Sequence, residues 1–318
     1  AENPMLGLLI GILTTSLVQS SSTTTSIVVG LVGGGLFSIE QAIPIVMGAN
    51  VGTSITNTVV SLGHIRNKDE FRKAFGAATV HDIFNFLTVA VLMPLQMQFN
   101  LLGRIAYTIE QLFEKGGGFT FTGPIKLVVD PVVGLLEWAM MENGWVMLIG
   151  ALVILLVSLR SIVTIMKTLM IEKLQEVFNK VIFRSPAVSM LAGVVLTAIV
   201  QSSSVTTSLI VPLAATGVVT LKQVLPFTMG ANIGTTFTAL LAALVTAEVS
   251  AITVALTHLM FNILGIGIFL PFMKVPAFLA DRLAFVSAEQ RWFPFVLVPL
   301  VFIGIPLVVL IFSGGGLQ

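Results

Sequence analysis

The chain has 318 residues, of which 56% are hydrophobic and only 10% are charged, and its mean hydropathy is +1.02. A soluble core of this size could not bury so much apolar surface, so the composition excludes an ordinary soluble protein and predicts one embedded in a lipid bilayer. The net charge of +1 gives no basis for nucleic-acid binding, and a sequence without cysteine excludes disulfides and thiolate metal sites.

Long stretches with almost no charge predict membrane helices, because a spanning helix needs roughly 20 apolar residues. The stretches lack the alternating pattern of a membrane β-barrel, so the predicted fold is an all-α polytopic membrane protein. They fall at residues 5–39, 42–62, 74–97, 145–159, 187–221, 224–247, 249–273 and 292–312.

The sequence contains an internal repeat. Residues 15–56 and 197–238 align without a gap, and half of the aligned positions are identical. The identities concentrate in two polar motifs, QSSS at 19–22 and 201–204 and GAN at 48–50 and 230–232, whereas the apolar positions around them vary. Because the polar motifs are the same in both copies, we predict a site built from both. The two copies and the segments that follow them are called unit one and unit two.

Each unit opens with an apolar segment that QSSS interrupts. A polar run facing lipid would leave several groups unsatisfied at a few kcal/mol each, so the interruption must be packed in protein or line a cavity. We therefore predict a re-entrant hairpin of two half-helices that meet at a polar tip near the midplane. The glycines of GAN(V/I)GT predict local unwinding of the next helix, and a third helix carries an HxxFN pattern at 81–85 and 258–262.

Basic residues predict the orientation of the two units. Residues 64–73 include Arg66, Lys68, Arg72 and Lys73, whereas the corresponding loop at 246–250 has no basic residue. By the positive-inside rule the first loop is cytoplasmic and the second is not, so the units have inverted topology.

The same reasoning divides the whole chain. We expect unit one at 1–98, an extracellular or periplasmic connection at 99–144, a scaffold helix and a cytoplasmic amphipathic helix at 145–185, unit two at 186–273, and a C-terminal loop and transmembrane helix at 274–318. Because a scaffold helix precedes unit two, a further helix is expected ahead of residue 1.

The polar motifs suit small ions. Hydroxyl, amide and main-chain oxygens can replace the hydration shell of a hard monovalent cation, while half-helix N-termini favour an anion. Helix packing is the alternative role for a single serine and threonine cluster, but two symmetric QSSS motifs paired with two GAN motifs favour binding. No G-x-S-x-G, HExxH or P-loop motif occurs, so we expect no catalytic residues and no enzymatic activity.

Three ionisable residues, Asp82, His81 and His258, lie within apolar stretches of the sequence. Asp82 is an acidic residue deep in an apolar stretch, with Leu259 at the equivalent position, and such a carboxylate predicts a functional site. The alternative is pairing with Arg72 or Lys73. His81 and His258 could be metal ligands, but packing histidines bonded to a hydroxyl are the favoured interpretation.

The segments QSSSTTTSIVV, GANVGTSITNTVVSL and FRKAFGAATVHDIFNFLTV, with the second QSSS and GANIGTT, resemble the type II sodium-phosphate cotransporter family over about residues 3–97 and 187–265. The resemblance implies sodium-driven import of inorganic phosphate by alternating access. Asp82 resembles the aspartate of electrogenic members, which use three sodium ions. His64 and Asn67 stand where animal members have glutamine and aspartate at one sodium site, and the missing cysteine-bearing loop suits a bacterial member.

From the motifs and this resemblance we expect phosphate at Ser20, Ser21, Ser22, Thr23, Asn50, Ser202, Ser203, Ser204 and Asn232. We expect sodium at Gln19, Thr53, Thr58, Asp82, Asn85, Gln201, Ser202, Thr235 and Thr238. Na+ is the expected coupling ion, without an organic cofactor, and the expected partners are phosphate, sodium and the lipid bilayer of the inner (plasma) membrane, with a homodimer left open. The alternatives are a sodium-coupled dicarboxylate or other small-anion carrier, an anion channel, and a regulatory membrane scaffold.

Overall fold

The computed structural model describes residues 3–53, 55–115, 182–246 and 248–314, together with isolated positions between 131 and 161. Within these ranges the chain is helical and contains no β-strand. Apart from the isolated positions, the predicted connection beyond residue 115 and the predicted scaffold and amphipathic helices lie outside the described residues.

Six helices cover unit one and the start of the predicted connection. They are α1 (Pro4–Val18), α2 (Ser21–Gly33), α3 (Ile39–Gly52), α4 (Ile55–Leu62), α5 (Lys68–Phe99) and α6 (Leu101–Lys115). Local sequence sets their starts: Asn67 accepts main-chain N–H groups at the start of α5, and Ser38 and Gln41 form a reciprocal capping box at the start of α3.

The remaining described helices belong to unit two and the C-terminal region. They are a 3₁₀ turn (Ile182–Arg184), α7 (Pro186–Val200), α8 (Ser203–Ser208), α9 (Ile210–Ala215), α10 (Leu221–Thr246), α11 (Val249–Phe269), α12 (Lys274–Glu289), α13 (Phe293–Pro299), a π-helical turn (Leu300–Gly304) and α14 (Ile305–Gly314). Helix α12 occupies the region expected to be a loop. Its small residues Ala284 and Ala288 pack against Phe71 and Phe75 of α5, which explains why this segment is ordered as a helix.

Five helical segments of the described chain are long and apolar enough to cross a membrane. They are Ile39–Leu62, Lys68–Phe99, Leu221–Thr246, Val249–Phe269 and Phe293–Ser313. Large apolar side chains lie on the outer surface, among them Leu36, Ile199 and Phe312. The protein is therefore a multi-pass membrane protein, as the composition predicted.

The GAN segment of unit two is continuously helical, so the predicted unwinding is wrong there, whereas in unit one α3 ends at Gly52, inside the GANVGT segment, and α4 begins at Ile55. Gly48 lies within α3 and Gly230 lies within the continuous helix α10. A Cβ atom at Gly48 would collide with the main-chain oxygen of Leu8 on α1, and one at Gly230 with that of Met190 on α7. The glycines let two helix backbones approach closely, as small residues do at four-residue spacing in membrane helices.

These close helix pairs are tied to the core by apolar clusters shared between the units. One cluster brings Phe84 of α5 together with Phe227 of α10 and Ile210 of α9. Another brings Met47 of α3 together with Phe261 of α11. The two units therefore interlock, and polar residues on α3, α5, α10 and α11 face each other across the unit boundary.

Candidate functional site

The two QSSS motifs break their helices with the same backbone geometry. Gln19 ends α1 in the left-handed region (φ 57°, ψ 27°), and Gln201 ends α7 in the same way (φ 56°, ψ 24°). The next serine is extended in both cases, and its Oγ accepts a main-chain N–H: Ser20 from Thr23 at 3.2 Å and Ser202 from Val205 at 3.4 Å. Each break therefore starts a new helix with a serine cap.

The two breaks are in direct contact. The hydroxyl of Ser22 donates to the main-chain oxygen of Gln201 at 2.9 Å. The equivalent serine of unit two, Ser204, instead lies 3.2 Å from Ser202 Oγ. Gln19 is exposed, whereas Gln201 is partly buried. The local backbone is thus the same in the two units, but the contacts between them are asymmetric.

Most of the residues predicted for phosphate are buried. Those with less than one tenth of their surface exposed are Ser21, Ser22, Thr23, Ser202, Ser203, Ser204, Asn50 and Asn232, while Ser20 is half-buried. A group of buried hydroxyls at the meeting point of two helix breaks can donate several hydrogen bonds to one anion.

Three residues predicted for sodium have buried oxygens without a partner among the described residues. These are Thr58 Oγ1 on α4, Asp82 Oδ1 on α5 and Thr238 Oγ1 on α10. Helix α5 packs against both α4 and α10. Buried polar atoms are normally hydrogen-bonded, so such oxygens are suited to a cation. Thr53 and Thr235 differ, because each hydroxyl donates to the carbonyl four residues earlier at 3.0 Å.

Asp82 does not pair with Arg72. The guanidinium of Arg72 contacts both carboxylate oxygens of Asp281 on α12, at 2.9 and 3.0 Å, and lies over the ring of Phe285. Lys73 lies beside the Gly217 turn. Among the described residues, the structure thus assigns Asp82 no ion pair.

The asparagines of the two GAN motifs contact the histidines across the unit boundary. His81 Nε2 is 2.6 Å from Asn232 Oδ1, and His258 Nε2 is 2.9 Å from Asn50 Nδ2. Asn85 Nδ2 donates to the main-chain oxygen of Asn50 at 2.7 Å. Both histidines contact amides and not the hydroxyl that was expected, and no cluster of three metal-type ligands occurs in the described chain.

Sequence reasoning missed one contact between the units. Asn57 on α4 donates to the hydroxyl of Thr207 on α8 at 2.8 Å, and both residues are buried. The repeat offered a signal, because the equivalent of Asn57 in unit two is Ala239. A polar residue present in only one unit indicates a contact that the symmetry does not require.

Comparison of the sequence with known proteins identifies the family of this chain. The profile of the Na+/Pi-cotransporter family matches residues 1–113 and 154–285. The rat sodium-dependent phosphate transport protein 2A (Rattus norvegicus) is 34% identical, with 100% of this chain and 62% of the relative covered. The human protein 2B (Homo sapiens) is 34% identical, with 97% of this chain and 59% of the relative covered.

The rabbit protein 2A (Oryctolagus cuniculus) is 35% identical over 99% of this chain and 61% of the relative. The chain thus spans about three fifths of the length of these relatives. No solved structure matches it. The family profile covers most of the chain, including both QSSS motifs and both GAN motifs, and the chain therefore belongs to the Na+/Pi-cotransporter family.

Proposed function

We propose that this protein imports inorganic phosphate across the inner (plasma) membrane by coupling it to sodium, through alternating access. The observation that carries the proposal is the contact between the two QSSS breaks, where Ser22 bonds to Gln201 among buried hydroxyls. Two further findings support it: the chain belongs to the family, and its relatives are named sodium-dependent phosphate transport proteins.

The phosphate site lies between the two serine-rich breaks. The residues 20–23 and 202–204 supply hydroxyl donors, and α2 directs the N-terminal end of a 13-residue helix toward the break. The first main-chain N–H groups of a helix have no acceptor within the helix, and the helix dipole favours negative charge there. These groups favour an anion without requiring a basic side chain.

The sodium ions lie beside this site. Thr58, Asp82 and Thr238 offer buried oxygens that have no hydrogen-bond partner in the described part of the chain, and Asn85 and Thr235 lie on the same packed helices. A carboxylate and several neutral oxygens suit a hard monovalent cation, and the positive charge offsets that of the phosphate. Binding of one ion therefore favours binding of the other, which is the basis of coupling.

Helix lengths support a re-entrant arrangement of the QSSS hairpins in the membrane. Helices α1, α2 and α7 have 15, 13 and 15 residues, fewer than the roughly 20 needed to cross the hydrocarbon core. We place each QSSS hairpin as a re-entrant element with its tip near the midplane, and the two units as inverted repeats. Alternating access then arises when the units exchange conformations around a fixed central site.

We also place Asp82 in an electrogenic cycle. If divalent phosphate travels with three sodium ions, one positive charge moves inward per cycle. The membrane potential then contributes about 2.3 kcal/mol per 100 mV. That energy corresponds to roughly a 50-fold gain in phosphate accumulation, at about 1.4 kcal/mol per factor of ten.

The test is uptake of radiolabelled phosphate into proteoliposomes that contain the purified protein. We expect uptake with an inward sodium gradient and little uptake when potassium replaces sodium. Labelled succinate serves as the control substrate, because sodium-driven uptake of succinate that phosphate does not inhibit would identify a dicarboxylate carrier. A steady current that is independent of sodium would identify a channel and refute the proposal.

A further inference from the structure

A continuous chain of hydrogen bonds runs through the centre of the protein. It starts at His81 Nε2 and passes to Asn232 Oδ1 at 2.6 Å, from Asn232 Nδ2 to Asn85 Oδ1 at 2.6 Å, and from Asn85 Nδ2 to the main-chain oxygen of Asn50 at 2.7 Å. All four residues are buried, with at most 3% of their surface exposed. This chain of hydrogen bonds crosses the unit boundary twice, since Asn232 belongs to unit two and the other three residues belong to unit one.

One main-chain carbonyl fixes the direction of every bond in this chain. The carbonyl oxygen of Asn50 can only accept, so Asn85 must turn its Nδ2 toward it. Asn85 Oδ1 then faces Asn232, which must present its own Nδ2. Asn232 Oδ1 consequently faces His81, which must carry its proton on Nε2. Reversing one amide would set two donors or two acceptors against each other at buried positions.

We propose that His81 is a positioning residue for sodium, acting through Asn232 to hold the amide of Asn85. This inference rests on the proposed function, in which Asn85 is a sodium residue. An amide oxygen has two lone pairs, so Asn85 Oδ1 can accept the bond from Asn232 and still bind a cation. The bond from His81 prevents rotation of the Asn232 side-chain amide. The bond from Asn232 in turn prevents rotation of the Asn85 side-chain amide.

The second histidine has a different role, although the HxxFN pattern is the same. Asn50 Nδ2 lies 2.9 Å from His258 Nε2 and also donates to the carbonyl of Val46 at 3.0 Å. Loss of His258 therefore leaves Asn50 Nδ2 with a partner. It also leaves Asn85 in place, because Asn85 bonds to the main chain of Asn50 and not to its side chain. His258 is as buried as His81 and thus provides a matched control.

The experiment compares His81→Phe with His258→Phe in the full chain. We measure the sodium concentration for half-maximal phosphate uptake in proteoliposomes. We also measure the sodium concentration for half-maximal thermal stabilisation in detergent without phosphate, which reports binding independently of transport. Residues that orient metal ligands typically contribute 10- to 100-fold to metal affinity. We expect His81→Phe to raise both sodium concentrations about tenfold or more, and His258→Phe to change them less than about threefold.

Two further variants keep the inference testable if His81→Phe does not accumulate. His81→Gln keeps an N–H donor and should restore sodium dependence to within about threefold of the original protein, whereas Asn232→Leu removes the donor to Asn85 and should lose about tenfold. Unchanged sodium dependence in His81→Phe or Asn232→Leu would overturn the inference about His81. An equal loss of sodium affinity in His258→Phe would do the same. Neither result would affect the proposed function. Absence of sodium-dependent uptake by the unmutated protein would instead refute the proposed function, and this inference with it.

Discussion

Replacing Gly48 by alanine tests how closely the paired helices approach. The added Cβ would collide with the main-chain oxygen of Leu8 and would lie near the main-chain nitrogen of Ile12, both on α1. Neither atom can move by a side-chain rotation, so α1 and α3 would have to separate by about 1.5 Å to reach an ordinary contact of about 3.5 Å.

The expected magnitude follows from two opposing terms. Alanine in place of a helical glycine gains about 1 kcal/mol in helix propensity. Overpacking typically costs about 1–3 kcal/mol, and contact with backbone places Gly48 at the upper end or beyond. We therefore expect a net loss of about 2 kcal/mol in the free energy of unfolding for Gly48→Ala.

The chain offers a matched control. A Cβ at Gly30, in helix α2 of the same unit, would have no atom within 4 Å. Gly30→Ala should keep stability or raise it by up to about 1 kcal/mol. Thermal unfolding of the detergent-purified proteins, followed by circular dichroism, would give a midpoint several degrees lower for Gly48→Ala than for Gly30→Ala. Equal midpoints would show that α1 and α3 are not packed backbone to backbone.

Three further predictions concern the candidate site. Asp82→Gly should retain part of the sodium-driven uptake but lose its dependence on membrane potential, measured in vesicles at several potassium diffusion potentials; an intact voltage response would contradict the role of Asp82. Asn57→Ala should lower the free energy of unfolding by about 1–3 kcal/mol in chemical or thermal unfolding, because it leaves a buried hydroxyl on α8 with one partner fewer, and unchanged stability would contradict this. In this cysteine-free chain, a Gln201→Cys reporter should react faster with a maleimide when combined with Ser22→Ala than with Ser204→Ala, since Ser22, unlike Ser204, bonds to residue 201; equal rates would argue against an asymmetric contact.

The sequence predicted those features that lipid imposes locally. A polar QSSS run inside an apolar segment must break the helix and be buried, and the breaks at Gln19 and Gln201 lie where the motif placed them. Gly48 and Gly230 were interpreted wrongly, because a glycine permits either unwinding or close packing and only the neighbouring helix decides between them. At Gly48 and Gly230 that neighbour is the backbone of α1 or α7.

Contacts between the units were harder to predict, because the repeat specifies equivalent positions but not which residues meet. The His–Asn pairs join residues about 150 or more positions apart, and nothing in the HxxFN pattern names the GAN asparagine as the partner. The pattern predicts only that histidine and asparagine share one face of a helix. Their pairing depends on how α5 and α11 pack against α10 and α3.

The polar differences between the units indicate where an unpaired ion would bind. Asn57, Thr58 and Asp82 in unit one correspond to Ala239, Leu240 and Leu259 in unit two. All three lie on α4 and α5, which pack against each other, and two of them have buried oxygens without a partner among the described residues. Two equivalent units would bind cations in equivalent pairs, so oxygens that occur in only one unit can add a single cation. In the electrogenic cycle proposed above, the third sodium ion and the sensitivity to voltage are therefore expected to depend on α4 and α5 of unit one and not on their counterparts in unit two.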